Sequence, residues 1–428
     1  MIQYFQPIKR VHGEISLPGD KSISHRALIF SAMGNGISTI ENISKGSDVQ
    51  STLKCLQEIG VTFKASKNFI EVNGVGFKGF IEPAHPLNCG NSGTTARLLA
   101  GLLVTQNFNS ILIGDQSLSN RPMKRLAQPL SVMGGKLNTS EKGTLPIDIL
   151  TSDKIHSIEF NLSVPSAQIK SAVLIAGLHC DSETSVIESF VTRDHTERLL
   201  GLEIIHRENK IISKSSVKNY PQPTHYFIPG DLSSAAYLIV LALMSKNSEL
   251  LLKNVSLNNS RKKFLDVLLK MGGSIEIINS QVSNNENYGD VLVRSVPLQN
   301  MMIDRDIIPS IIDEIPILAV AAAIIQGKFE IRNCEELRLK ESDRIKSICY
   351  NLQIAGFEVE EYFDGFAFEG ELNKKEFLFN SFGDHRIAMA FAVLSMLAPN
   401  GGKVEGFESV QISNPDFIYQ LQTLANFG

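Results

Sequence analysis

The 428-residue chain has no cysteine pair at metal or redox spacing, no apolar run of membrane-spanning length and no excess of positive charge. Its five cysteines (Cys55, Cys89, Cys180, Cys334, Cys349) are scattered, odd in number and form no CxxC pair. That excludes a disulfide framework and gives no zinc signature, so reduced thiols in a cytoplasmic protein are expected. The N-terminus, MIQYFQPIKR, lacks the apolar run of a signal peptide. The strongest apolar stretches, AYLIVLALM (236–244) and PILAVAAAII (316–325), fall well short of the ~20 residues that span a bilayer and predict buried helices instead. With 41 Lys plus Arg against 45 Asp plus Glu, the net charge of −4 argues against nucleic acid or an anionic membrane as the main partner. There is no GxxxxGK[ST] loop, no HExxH, no EF-hand loop and no GxSxG elbow. Nucleotide, metal and serine-triad readings therefore have no support, and neither a metal nor another cofactor is expected.

What is present is ordinary globular composition, 43% hydrophobic and 20% charged. The length suits two to four domains of about 100–200 residues. Six times a small or polar cluster is followed at once by an apolar helix-like run: PGDKSISHRALIFSAM (18–33), CGNSGTTARLLAGLL (89–103), VPSAQIKSAVLIAGL (164–178), PGDLSSAAYLIVLALM (229–244), IDEIPILAVAAAII (312–325) and FGDHRIAMAFAVLSML (382–397). Short strand-like runs, charged loops and second, amphipathic helices follow most of them, and glycines close four of those helices. The openings recur every ~65–85 residues, longer than common solenoid periods, so six βαβαββ-like units are expected. The polar, proline-containing passage KSSVKNYPQPTHYFIP (214–229) reads as a boundary. The expected organisation is a three-repeat domain at 19–229 and a second at 1–18 plus 230–428, joined by a two-strand hinge.

Each opening sets Ser, Asn, Asp or Gly at a helix N-terminus, where N–H groups lack partners and the macrodipole is positive. Several such ends converging would make an anion site; a lone one is simply a cap. Reactive side chains sharpen the choice. In the first copy Lys21 and Ser22 stand at the entrance with Arg26 one turn on, a set suited to phosphate or carboxylate. His25 lies between Ser22 and Arg26; His12, His85, His156, His179, His206 and His225 stand alone and are expected at the surface or satisfied. The second copy offers Gly90, Asn91, Ser92 and Gly93, and its following helix is expected to carry Arg121, Lys124 and Arg125. The third offers Ser166, Gln168 and Lys170, then Arg193; Asp194 and Glu197 have capping-box spacing. In the fifth, Asp313 and Glu314 open a very apolar helix, where a carboxylate either favours the dipole or acts as a general base. Downstream, Lys340 and Arg344 are expected on one helical face with Glu341 between them, and the sixth copy supplies His385 and Arg386. Small, multiply anionic ligands fit this inventory.

Eight ordered blocks across the chain resemble the 5-enolpyruvylshikimate-3-phosphate synthase family of enolpyruvyl transferases: LPGDKSISHRAL, GNSGTTARLLAG, GDQSLSNRPMKRL, VPSAQIKSA, RDHTERLL, DEIPILA, LRLKESDRI and GDHRIAMA. The resemblance runs from about Lys9 to Leu424. It implies an α/β fold, an inside-out α/β barrel of two similar domains, each of three βαβαββ repeats, with a hinge between them. It also implies transfer of a carboxyvinyl group from phosphoenolpyruvate to the 5-hydroxyl of shikimate 3-phosphate, with phosphate released after addition and elimination. Carried over by position, Lys21, Ser22, Arg26, Ser166, Ala167, Gln168, Arg193, Asp313 and Lys340 become the shikimate 3-phosphate contacts. Lys21, Gly93, Arg121, Gln168, Arg344 and Arg386 become the phosphoenolpyruvate contacts. Asp313 is the implied base and Glu341 the implied acid, with Lys21 and His385 as assistants. The partners are then these two small molecules, with no nucleic acid or membrane, and a monomer is expected.

Three positions depart from the family pattern. Leu98 stands where some members have Pro, Ala167 where some have Ser, and Ile412 (in VQISNPDF) where some have a Lys toward phosphoenolpyruvate. The family inhibitor glyphosate competes at that subsite, and Gly93 leaves space for it. Two other readings stay open. UDP-N-acetylglucosamine 1-carboxyvinyltransferase shares fold and donor, but its mobile loop typically carries a Cys that GDQSLSNRPMKRL lacks. A noncatalytic anion-binding repeat protein would use the helix entrances but has no need of the Asp313 and Glu341 pair.

Overall fold

The computed structural model describes residues 1–325, 327–373 and 375–427. It is a mixed α/β protein whose chain divides into two compact units, Gly19–Ile228 with Val282–Glu286, and Met1–Pro18 with Pro229–Gln281 and Asn287–Gly428. Each unit has its own continuous apolar core.

In the Gly19–Ile228 unit three four-stranded sheets share one internal order. In the first, His225–Phe227 runs parallel to Asn35–Glu41, which pairs antiparallel with Phe69–Val75, itself antiparallel to Thr62–Ala65. The same order recurs in Leu87–Asn88, Ser110–Ile113, Ile147–Leu150 and Lys136–Thr139. It recurs again in Glu159–Asn161, Thr184–Glu188, Lys210–Ser215 and Glu203–Arg207. The other unit is less uniform, with two three-stranded sheets and a five-stranded one ordered Ser274–Ser283, Glu286–Arg294, Glu249–Ser256, Ile8–Ser16 and Ala425–Phe427.

The six apolar runs form the helices Lys21–Met33, Gly93–Leu103, Ala167–Gly177, Leu232–Met244, Ile315–Ile324 and His385–Leu397, buried on nearly every face. A helix apolar all round has no face to give to water, and each large side chain it buries contributes roughly 1.5–3 kcal/mol. Close packing sets their sequence: a Cβ on Gly101 would lie 2.4 Å from the Ala172 carbonyl oxygen of the neighbouring helix. The second helices are amphipathic, as Lys263–Lys270 shows by burying Phe264, Leu265, Val267 and Leu268 while Lys263 and Lys270 stay exposed. Among the described residues no single helix is long and apolar enough to cross a membrane.

Five of the six entrances carry the expected side-chain cap, from Asp20, Ser92, Ser166, Asp231 and Asp384. The sixth differs: Glu314 holds the N-cap position of Ile315–Ile324 without a side-chain cap bond, because its carboxylate is taken by Ser233 and Arg261. Three local expectations need correction. Arg121 does not share a helix with Lys124 and Arg125, since Pro122 disfavours helical backbone at the preceding residue and the helix starts at Lys124. Lys340 closes a short 3₁₀ turn, and the next helix begins only at Arg344, capped by Asp343, so Lys340 and Arg344 share no helical face. Asp194 and Glu197 form no capping box: Asp194 accepts from Arg198 at 2.9 Å, and a buried ammonium draws Glu197 inward.

Candidate functional site

In the Gly19–Ile228 unit the helix entrances are tied together by polar side chains. Asp20 accepts from the Ile23 amide at 3.0 Å and fixes the first turn, where the Lys21 ammonium lies 2.9 Å from Asp48. Arg26, one turn on, donates through Nε to Thr196, through Nη2 to Ser171 (both 2.7 Å) and through Nη1 to the Ser22 carbonyl at 2.8 Å. Its spacing from Ser22 thus produces a contact to the backbone rather than to the hydroxyl. Burial pulls the Arg26 guanidinium down to about 10, with Glu197 opposing, so it stays cationic at neutral pH. His25 is buried, with Nδ1 2.7 Å from Thr52 Oγ1; that hydroxyl is 2.7 Å from Thr95, which donates to Ser92 at 2.8 Å. This relay couples the first helix to the cap of the second. Burial, then Lys21 and Arg26, hold the His25 ring well below the usual imidazole range, which makes it a neutral linker.

At the second and third entrances Gln168 accepts from Arg97 and donates to Thr94 at 2.9 Å, so the helix Ala167–Gly177 presents its first turn beside Gly93. A Cβ on Gly93 would lie 2.7 Å from Arg97 Nη1 and 3.1 Å from Arg121 Nη1. Arg121 is oriented by Asn91 at 2.8 Å. Ser166 caps the helix and Ala167 is its first residue. Arg193 sits half-buried in the loop before His195–Leu200. Lys170, expected at the same entrance as Gln168, instead turns inward to Glu188 and Glu197.

The other unit assembles a second set. Arg344 donates to Asp313 at 3.1 Å, to Glu341, and through Nε to Asp384 at 2.7 Å. Arg386 donates to the Asp313 carbonyl at 3.0 Å and lies 3.6 Å from its carboxylate and 3.7 Å from Glu314. Asp384 also accepts from the Arg386 amide at 2.8 Å, which fixes the helix carrying His385 at its buried first position. Burial alone would lower both guanidiniums, but Asp384 for Arg344 and Asp313 for Arg386 lead the opposing attractions, and both end above the ordinary arginine range. Neither cation is bare; an incoming anion must share it with carboxylates. Lys340 is half-buried just before Glu341.

The fold therefore gathers Lys21, Ser22, Arg26, Gly93, Arg121, Ser166, Ala167, Gln168 and Arg193 in one unit, and Asp313, Lys340, Glu341, Arg344, His385 and Arg386 in the other. Sequence reasoning missed Asp48, Arg97 and Asp384. Each has a readable trace: Arg97 is four residues after Gly93, Asp384 is the cap of its helix, and Asp48 opens the helix Ser47–Glu58. Such carboxylates and guanidiniums can bind oxyanions and relay protons.

The family model described as EPSP synthase (3-phosphoshikimate 1-carboxyvinyltransferase) matches residues 5–421. A 3-phosphoshikimate 1-carboxyvinyltransferase of Petrotoga mobilis is 45% identical over 417 residues, 96% of each chain. One from Syntrophomonas wolfei is 41% identical over 98% of each. The EPSP synthase structure from Acinetobacter baumannii superposes with a TM-score of 0.86 at 34% identity, covering 100% of this chain and 98% of that one. The enolpyruvyl transferase NikO from Streptomyces tendae, at 15% identity and a TM-score of 0.76, shares the fold.

Proposed function

The chain belongs to the EPSP synthase family, the 3-phosphoshikimate 1-carboxyvinyltransferases, and from that premise we propose how its two sets of residues divide the work. The enzyme transfers the carboxyvinyl group of phosphoenolpyruvate to the 5-hydroxyl of shikimate 3-phosphate and releases phosphate. UDP-N-acetylglucosamine 1-carboxyvinyltransferase is not favoured by the relatives' names.

In the proposed mechanism, Lys21, Ser22, Arg26, Ser166, Ala167, Gln168 and Arg193, with Asp313 and Lys340, hold shikimate 3-phosphate. Lys21, Gly93, Arg121, Gln168, Arg344 and Arg386 hold phosphoenolpyruvate. The 5-hydroxyl oxygen bonds to the enol carbon as Asp313 takes its proton and Glu341 protonates the methylene carbon, giving a tetrahedral ketal. Elimination then breaks the bond to phosphate, which leaves with the proton that Asp313 had taken, while a methyl proton returns to Glu341, restoring the vinyl double bond and both carboxyl groups. Lys21 and His385 assist by charge and proton balance. Each substrate brings a carboxylate and a phosphate, so cations must offset their repulsion while positioning supplies effective molarities of ~10⁵ M or more.

The observation that carries this reading is the pair of carboxylates, Asp313 and Glu341, held on one guanidinium, Arg344. A base and an acid of one reaction need such fixed separation. The inside-out barrel of two three-repeat domains with a hinge, the monomeric state and the cytoplasmic setting belong to the same proposal. Glyphosate is expected to inhibit past Gly93, and unchanged turnover at saturating glyphosate with little phosphoenolpyruvate would reject that. The decisive test is phosphate release from phosphoenolpyruvate with shikimate 3-phosphate against UDP-N-acetylglucosamine, repeated for Asp313→Ala and Glu341→Ala. Release only with the shikimate ester, lost in both variants, is expected; the reverse preference, or full turnover in either variant, rejects the assignment or the acid–base roles.

A further inference from the structure

The Lys170 ammonium lies 2.9 Å from Glu188 and 2.8 Å from Glu197, with all three side chains at most 3% exposed. The two glutamates bracket the segment that carries Arg193. Glu188 ends the strand Thr184–Glu188, and Glu197 lies in the first turn of His195–Leu200. Glu188 also accepts from the Thr192 hydroxyl at 2.6 Å, next to Arg193, and Glu197 accepts from Ser213 at 2.9 Å. Lys170 itself stands two residues beyond Gln168. Thr196 and Ser171, on the same two helices, hold the Arg26 guanidinium.

We propose that Lys170 is a positioning residue for the acceptor: one ammonium staples the 189–194 loop to the Ser166–Gln168 entrance, so that Arg26, Ser166, Gln168 and Arg193 meet shikimate 3-phosphate as a preformed set. This rests on the residue assignments made above for that substrate. The rest of the helix, AQIKSAVLIAG, buries mostly apolar or small residues, so an apolar side chain at position 170 would serve packing as well. A buried ion pair is a poor stability device, because desolvation consumes most of its attraction; it does enforce one geometry. Burial lowers and the two glutamates raise the Lys170 pKa, with a net upward shift, so the staple stays charged. Lys170 and Arg26 also balance Glu188 and Glu197 in charge, which keeps the surroundings of an anionic phosphate from turning negative.

The test compares Lys170→Met/Glu188→Gln, which removes the ammonium and one of its two carboxylates so that the local net charge is unchanged and Glu197 keeps Ser213, with Thr192→Val, which loses only the hydroxyl latch, and with Arg193→Ala. Shikimate 3-phosphate affinity is read by calorimetric titration, and both KM values and kcat by phosphate release. The double variant is expected to keep a wild-type circular dichroism spectrum. Its dissociation constant and KM for shikimate 3-phosphate should rise about tenfold or more, the scale that small misplacements reach. Its kcat should stay within about twofold of wild type, and its phosphoenolpyruvate KM should rise less than the acceptor's, because Gln168 alone of the stapled set is also assigned to the donor. Thr192→Val should move in the same direction by a smaller step. Unchanged shikimate 3-phosphate affinity in the folded double variant, or in Thr192→Val should the double variant not fold, overturns the proposal. So does a fall in kcat with both KM values unmoved, the sign of a merely structural role. Arg193→Ala separates the two levels: if it leaves affinity intact, the assignment of Arg193 fails; if it alone weakens binding, the positioning role of Lys170 fails.

Discussion

Arg344 donates to Asp313 across 3.1 Å, and the same guanidinium holds Glu341 and Asp384. One buried cation thus sets the separation of the two carboxylates assigned to proton transfer and also locks the cap of the helix bearing His385 and Arg386. Arg344→Met should leave three carboxylates without that partner, and breaking buried pairs of this kind costs about 3–5 kcal/mol. Turnover should fall by about 100-fold or more as the acid and base lose register. Arg344→Lys keeps the charge but not the fork, so it should recover stability more than activity. Urea denaturation beside steady-state kinetics checks this; near-wild-type turnover in Arg344→Met would remove the guanidinium from the mechanism.

A methyl group at position 93 should act mainly on the donor. It would meet the guanidinium tips of Arg97 and Arg121 at 2.7 and 3.1 Å, and flexible tips can swing away at little cost to the fold. Gly93→Ala is therefore expected to raise the phosphoenolpyruvate KM about tenfold, while the shikimate 3-phosphate KM changes by less than about twofold. The melting temperature should hardly move. Separate titration of each substrate decides, and equal changes in both KM values would mean that the Arg97 contact to Gln168, rather than Arg121, carries the effect.

The helix entrances were legible because capping and an apolar run are local properties written in adjacent residues, as at Asp20 before Lys21–Met33. The reactive residues at those entrances could be named through the family's blocks. Partner choice was not legible. Glu197 follows Asp194 at capping-box spacing yet goes to Lys170, because a buried ammonium outweighs one backbone amide, and only folding brings positions 170 and 197 together. Arg121 was misplaced for a local reason, the proline after it. The pairing of Arg344 with Asp313 and Asp384, and of Arg386 with Asp313, was hidden for the same reason: these partners are remote in sequence.

The thiols make a simple prediction. All five cysteines are free and buried, and burial pushes Cys334 and Cys349 up to about 12, far from the thiolate range. A thiol reagent at neutral pH should label none rapidly in the native enzyme and all five in denaturant. Rapid native labelling of one or more would show that a core segment opens. Addition of a reductant should leave activity unchanged, since no disulfide exists to be cleaved.

Stability toward acid depends on His179, whose ring packs 4.5 Å from Phe77 and 5.6 Å from Tyr220 with Nε2 shielded from solvent. Burial pulls this imidazole down to about 4, and the contact with the Ile175 carbonyl offsets only part of that. The unfolded ring takes up a proton near pH 6.5, whereas the folded ring takes one only near pH 4. The unfolded state therefore binds more protons between these values. The contribution is complete above pH 6.5 and is lost as the pH falls through 4, a total on the order of 3 kcal/mol. His25 is displaced in the same direction and should add a second proton to the same limb. His179→Phe, which keeps an aromatic ring in the cluster, should flatten the fall of unfolding free energy from pH 6.5 to 4.5 and reduce proton uptake on unfolding by about one. Denaturant unfolding at a series of pH values measures both, and an unchanged slope in the variant would show that His179 is protonated equally in the folded and unfolded chains.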